Sequence, residues 1–136
     1  MRILAVDYGE RRTGLAVSDE MGITAQGLDT LMCATEEEIP SEVVRIAGEL
    51  GVDRIILGLP LNMNGSESEK SLKVRKFGET IGQQLNVPVI FWDERMSSLQ
   101  AQRVMHELGV KLKSRKKTVD RISATLMLQE YLKTIP

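Results

Sequence analysis

The sequence predicts a mixed α/β domain: a five-stranded sheet, three antiparallel strands then two parallel, flanked by helices. Three observations carry this. Short apolar runs at Ile3–Val6, Thr13–Ser18 and Ile23–Met32 follow one another with connections too short for a crossover, as in an antiparallel meander. Two later apolar runs, Ile55–Leu57 and the one in "VPVIFWDER", are each preceded by a segment of helical spacing, as parallel strands require. No repeat, low-complexity tract or linker interrupts the 136 residues, so residues 1–136 read as one domain.

The elements follow in order. Ile3–Val6 is a buried strand, and the Gly9–Arg12 turn returns the chain as Thr13–Ser18. Ile23–Met32 alternates weakly and reads as a third strand. "ATEEEIPSEVVRIAGELG" is a helix, with Thr35 or Ser41 as N-cap, acids in its first turn and Gly51 as its stop. Ile55–Leu57 is a continuous apolar run, as in a strand covered on both faces. "LNMNGSESEK" has loop chemistry. A helix from about Ser66 to Leu85 carries Leu72, Phe77, Ile81 and Leu85 on its apolar face. After "VPVIFWDER" come a helix over Ser97–Leu108, a basic loop "KLKSRKK", and a last helix that Thr118 would cap.

Composition narrows the function. A net charge of −1 argues against a basic coat over the whole surface but leaves room for a basic patch. The lone Cys33 cannot form an internal disulfide, which suits a reduced, cytoplasmic setting. No apolar run approaches the ~20 residues of a membrane span, and the first residues lack a signal-peptide pattern. Aromatic content of 4% disfavours a base-stacking platform. No Walker loop, GxGxxG, CxxC pair or Ser-His-Asp set is present, so no nucleotide cofactor is expected.

The acids are more informative. Asp7 ends the first strand, and Asp93 and Glu94 end the last. In an open α/β sheet, ligand sites lie outside the carboxyl ends of the strands. Asp120, in the first turn of the final helix, can reach the same edge. Converging carboxylates repel and call for a cation. Oxygen donors without His or Cys favour Mg2+ or Mn2+. Such clusters serve phosphoryl transfer. Plainer roles stay open: Asp120 as a helix-dipole partner, and Asp93 or Glu94 as solvated charges or partners of Arg95. A carboxylate ending a buried strand next to a glycine is costly without a partner, so Asp7 resists the plain reading. His106, the one histidine, reads as a surface or satisfied side chain.

Beside Asp120, the segment "KLKSRKKTVDR" sets six cations around one acid. Lys116 and Lys117 are candidates for holding a phosphodiester backbone; otherwise this is a solvated loop. In "GLPLNMNGS", Asn62 and the loop amides are candidates for phosphate, against an ordinary strand-to-helix connection.

The motifs "DYGERRTGLAVSD", "GLPLNMNGS", "WDERMSS" and "VDRISATLMLQEYL", in this order and spacing, resemble the YqgF family, also called RuvX, over nearly the whole chain. The resemblance implies a ribonuclease H-like fold, similar to RuvC-type Holliday-junction resolvases. It implies a cytoplasmic nuclease that processes the 5′ end of 16S ribosomal RNA precursor. Asp7, Glu94 and Asp120 match the family's three acids and would be both catalytic and metal-binding, with Mg2+ or Mn2+. Arg12 matches the hairpin beside the first acid, Arg95 the residue after the second. With Asn62, Lys116 and Lys117 they would contact nucleic acid, either structured RNA or branched DNA. The wider superfamily often carries an acid at the end of the fourth strand; here "ILGLP" places Gly58 there. Asp93 therefore competes with Glu94 as second ligand. Two other readings remain in play: a resolvase acting on four-way DNA, and a non-catalytic ribosome-assembly module. An actin-like or sugar-kinase-like ATP binder needs a second D-x-G hairpin, and the sequence has none.

Overall fold

The computed structural model describes residues 1–93 and 112–135, with the backbone alone from 112 to 121. The elements are β1 (Ile3–Asp7), β2 (Arg12–Ser18), β3 (Ala25–Gly27), β4 (Leu31–Met32), α1 (Glu38–Leu50), β5 (Arg54–Leu59), α2 (Glu69–Leu85), β6 (Val89–Asp93) and α3 (Leu112–Leu132). The strand order is β3-β2-β1-β5-β6, with β4 also on β2. β1 pairs antiparallel with β2 and parallel with β5, and β5 pairs parallel with β6. This is the mixed sheet the sequence predicts, with one difference in strand count.

The expected third strand is two pieces, so the sheet has six strands rather than five. Gly27 pairs with Ala16, but Leu31 pairs with Thr13, a register slip of one residue between β3 and β4. The extra residue is a bulge on the edge ribbon, bridged by the Leu28 N–H donating to the Leu15 carbonyl. A bulge also makes an edge a poor template for further strand pairing.

The pleat of the sheet sorts its side chains into two layers. Leu4, Val6, Leu15, Val17, Ile55 and Leu57 face α1 and α2 and pack with Ile39, Val43, Val74, Phe77 and Ile81. Ile3, Ala5, Ala16 and Ile56 face α3 and pack with Ala124, Met127, Leu128 and Tyr131. Burying one such large apolar side chain contributes roughly 1.5–3 kcal/mol.

The helix ends correct several expectations. α1 is capped by neither Thr35 nor Ser41; it starts at Glu38 after Glu37, which makes no side-chain cap, and Ser41 lies inside it. Its stop is as expected, with Gly51 left-handed at φ 64°. α2 begins at Glu69 behind a capping box, in which Ser68 Oγ accepts from the Ser71 N–H and Ser71 Oγ from the Ser68 N–H. Its buried face is Val74, Phe77, Gly78 and Ile81, while Leu72 falls off that stripe and is 58% exposed. Gly78 lets α2 sit close to the sheet: a Cβ there would lie 2.9 Å from the Phe91 ring and 3.1 Å from Leu57.

The largest correction concerns the basic segment. From Leu112 onward it is helix, not loop, and Thr118 is an interior residue rather than a cap. Leu, Lys and Arg are good helix formers, and nothing from 112 to 120 breaks the helix. Asp120 therefore lies inside α3, two turns past Leu112, and not in a first turn. The helix expected over Ser97–Leu108 lies outside the described residues.

Candidate active site

Asp7 is the last residue of β1 and is half-buried. Alternation along β1 places it with Ile3 and Ala5, on the face that α3 covers. Its antiparallel partner is Gly14. On the other side, Val6 pairs with Leu57, so the next step of the parallel register sets Gly58 beside Asp7. Neither neighbour contributes a side chain. The carboxylate thus has glycine to its left and right on one face, room that a hydrated ion or a phosphate needs. Arg12 has the parity of Gly14 and Ala16, so it stands on the same face, diagonal to Asp7 across the ladder.

The β6 register places one of the two remaining candidates, Asp93. Gly58 pairs with Trp92 and Leu59 with Asp93. Trp92 lies on the α3 side, stacked edge-on against Tyr131 at 5.7 Å between centroids. Asp93, one residue on, belongs to the opposite face with Phe91 and Val89. It ends the strand at the same edge as Asp7 but on the other side of the sheet. Glu94 and Arg95 lie outside the described residues.

α3 brings position 120 to this edge. Tyr131 Oη takes a hydrogen bond from Arg54 Nη1, and Arg54 is the register partner of Ile3, so Tyr131 marks the amino end of β1. Position 120 lies eleven residues earlier, about 16 Å along the helix. From Ile3 to Asp7 β1 rises about 13 Å. Position 120 also precedes Ala124 and Met127 by four and seven residues, on the helix face that packs on the sheet. Asp7 and position 120 therefore share one face and one level. Lys116 and Lys117 lie one turn further toward the helix start.

The hairpin holding Asp7 is built tightly. Thr13, wholly buried, donates from Oγ1 to the Gly9 carbonyl at 3.2 Å and accepts from the Gly9 N–H at 3.4 Å. A Cβ on Gly9 would stand 2.2 Å from the Arg12 carbonyl oxygen, so the turn requires glycine. On the opposite face Tyr8 Oη donates to Glu36 Oε1, and its ring stacks at 4.7 Å on Phe77. Burial, then the bonded Glu36, push the Tyr8 phenol far above its ordinary range. Lys73 Nζ lies 2.8 Å from Glu10 Oε1 and 3.8 Å from Glu36 Oε1. The Lys73 hydrogen bond holds Glu10 below the usual carboxylate range, and Glu10 raises Lys73. This brace joins the β1–β2 turn, the segment leading into α1 and helix α2, and no sequence motif announces it, because its members lie 28 and 63 residues apart.

Asn62 is exposed in the β5–α2 loop, at the same edge. Its Nδ2 donates to Ser66 Oγ and the Glu67 carbonyl, and Gly65 N–H donates to its carbonyl. Its amide hydrogens are engaged in shaping the loop. Among the described residues, no three His, Cys, Asp or Glu side chains come together.

The family model described as RuvX, Holliday junction resolvase, matches residues 1–134. The chain belongs to the RuvX family. A family relative from Clostridium acetobutylicum, named "Putative pre-16S rRNA nuclease", is 45% identical over 135 residues, covering 99% of this chain and all of that protein. A relative of the same name from Syntrophomonas wolfei is 44% identical over 132 residues, covering 97% and 94%. The fold is also found in solved structures. Thermus thermophilus RuvC in complex with a Holliday junction substrate superposes with a TM-score of 0.59 at 17% identity, over 97% of this chain and 93% of that one. The fowlpox virus Holliday junction resolvase gives 0.61 at 17%, over 99% and 100%. At such identity these establish the fold, ribonuclease H-like, as the motifs imply. No helix among the described residues is long and apolar enough to cross a membrane.

Proposed function

We propose that this RuvX-family chain is a divalent-metal-dependent nuclease that hydrolyses phosphodiester bonds in the 5′-end processing of 16S ribosomal RNA precursor. The observation that carries the reading is the shared face and level of Asp7 and position 120. The names of its relatives point to the same substrate. That work belongs to the cytoplasm, where ribosomes are assembled.

Asp7, Glu94 and Asp120 would hold Mg2+ or Mn2+. All three offer hard oxygen donors, and the glycines flanking Asp7 leave space for such an ion. Glu94 is preferred to Asp93 as second ligand, because the pleat assigns Asp93 to the other face. A bound divalent ion supplies charge neutralisation and a more acidic water. The chain's own residues do the rest. Arg12, Arg95, Lys116 and Lys117 would bind the backbone oxygens on either side of the scissile bond. Asn62 would act by holding the β5–α2 loop where its amides meet phosphate. The hairpin, with Gly9 and Thr13, keeps Asp7 fixed without reorganisation.

The test is cleavage of a labelled precursor leader RNA and of a four-way DNA junction, with Mg2+, Mn2+ or chelator. Asp7→Asn is the control. The reading expects cuts in the RNA that vanish with chelator and in the variant. Cuts in the junction alone would make the chain a resolvase; binding of either without cuts would make it an assembly module.

A further inference from the structure

The face of α3 that packs on the sheet continues past the carboxyl end of β1. It packs through Tyr131, Met127 and Ala124. Steps of four and three residues extend that stripe to positions 120, 117 and 113. With 100° per residue, positions 113 and 117 fall within about 20° of Ala124, whereas Arg115 lies about 180° away. Position 120 is level with the carboxyl end of β1. Positions 117 and 113 therefore stand about 4.5 and 10 Å beyond it along the helix axis. The stripe is apolar along β1, acidic level with its carboxyl end and basic beyond it.

A stripe of one register that changes chemistry where β1 ends has two different surfaces to meet. Apolar residues meet the strands. Beyond them, two cations in line with an acid at the candidate site suit a polyanion lying across that edge, and the backbone phosphates of nucleic acid have this charge and repeat. The rigidity of a helix matters here: lysines on it keep fixed spacing, which a loop would not provide.

We propose that Lys113 and Lys117 form a phosphate track along α3, holding the nucleic-acid strand that leads away from the Asp7 edge. Lys113 joins the residues that grip the backbone, and Arg115, equally charged but on the other side of the helix, does not. The proposal rests on the nuclease reading for its substrate, but its test reads binding and needs no cleavage.

The experiment measures binding of labelled precursor leader RNA by the whole chain in chelator, at KCl from about 50 to 200 mM. Removing one cation that neutralises a phosphate should reduce the slope of log affinity against log salt by about 0.7–0.9. Lys113→Gln and Lys117→Gln should each do so, and Arg115→Gln should leave the slope unchanged. Lys113→Arg and Lys117→Arg should restore it, and circular dichroism checks that every variant keeps its helix content. An equal reduction at Arg115, no reduction at either lysine, or no RNA binding by the parent chain would overturn the track. Failure of the nuclease reading shows separately, as bound RNA that stays uncut once Mg2+ or Mn2+ is added.

Discussion

The two faces of the sheet are built differently. The face toward α1 and α2 is lined with large side chains, among them Leu4, Leu15, Ile55 and Leu57, and is covered by two helices. The face toward α3 includes Ala5 and Ala16 and meets Ala124 from the helix. Large residues make the first face the main store of stability. Small residues let one helix lie close on the second and run past its edge. The acid that ends β1 stands on the second face, where a single helix both covers the core and delivers further charged positions. Support and chemistry are thus divided between two neighbouring residues where β1 ends, Tyr8 facing the brace and Asp7 the candidate site.

That division can be broken in a graded way. The largest contrast is between two aspartates at one edge. Asp7→Asn should lower cleavage by about a thousandfold, ~4 kcal/mol on the barrier, as loss of a group that stabilises reacting charge does. Asp93→Asn, on the other face, should stay within about threefold, a difference of less than ~1 kcal/mol; parallel turnover assays decide. Equal losses would remove the distinction between faces. Next come the cores. Leu57→Ala should cost about 2–5 kcal/mol through the cavity it leaves. Ala16→Leu should cost about 1–3 kcal/mol by lifting α3, and should impair cleavage more than its stability loss accounts for. Urea unfolding beside activity measures both.

Tyr8→Phe should cost about 1 kcal/mol for the lost bond to Glu36. The pH dependence has a definite sign. Burial raises the folded-state phenol, so above the ordinary tyrosine value of 10.0 the unfolded chain gives up its proton first. Stability is full below that pH and declines as pH rises above it. In Tyr8→Phe this part of the alkaline decline should be absent from melts taken at stepped pH. The smallest effect is expected at Arg45, which bridges Glu42 and Glu49 on the exposed side of α1. Arg45→Ala should leave cleavage untouched and Tm within scatter, since exposed pairs contribute little.

Much of this architecture was readable from the residues alone, because periodicity reports burial directly. β1, β2, β5 and β6 carry apolar runs, and α1 and α2 carry helical stripes that end at Gly51 and Asn86. What escaped has physical causes. The bulge between β3 and β4 is a one-residue slip, set by pairing with β2 rather than by local sequence. The Ser68 cap uses Ser71 in place of the usual Glu or Gln, so its pattern is faint. The basic part of α3 reads as a loop because its run of cations offers no apolar periodicity to mark a helix. The spacing 113, 117, 120, 124, 127, 131 was nevertheless present in the chain, hidden by a change from charged to apolar residues halfway along. Asp7 was legible as an acid where a core strand ends. Its flanking by Gly14 and Gly58 needed the register, and so did the opposite placement of Asp93.

The order in which the chain is made gives the α3 cover a further meaning. Asp7 leaves the ribosome before position 120, which follows 113 residues later. At about 5–20 residues per second, that is an interval of roughly 6 to 23 s. During it the β1–β2 hairpin can form, but the face carrying Asp7 has no helix over it. A nascent chain of this design holds its first acid without the last one. A chain of this design would thus bring Asp7 and position 120 to one edge only after every residue between them has been made.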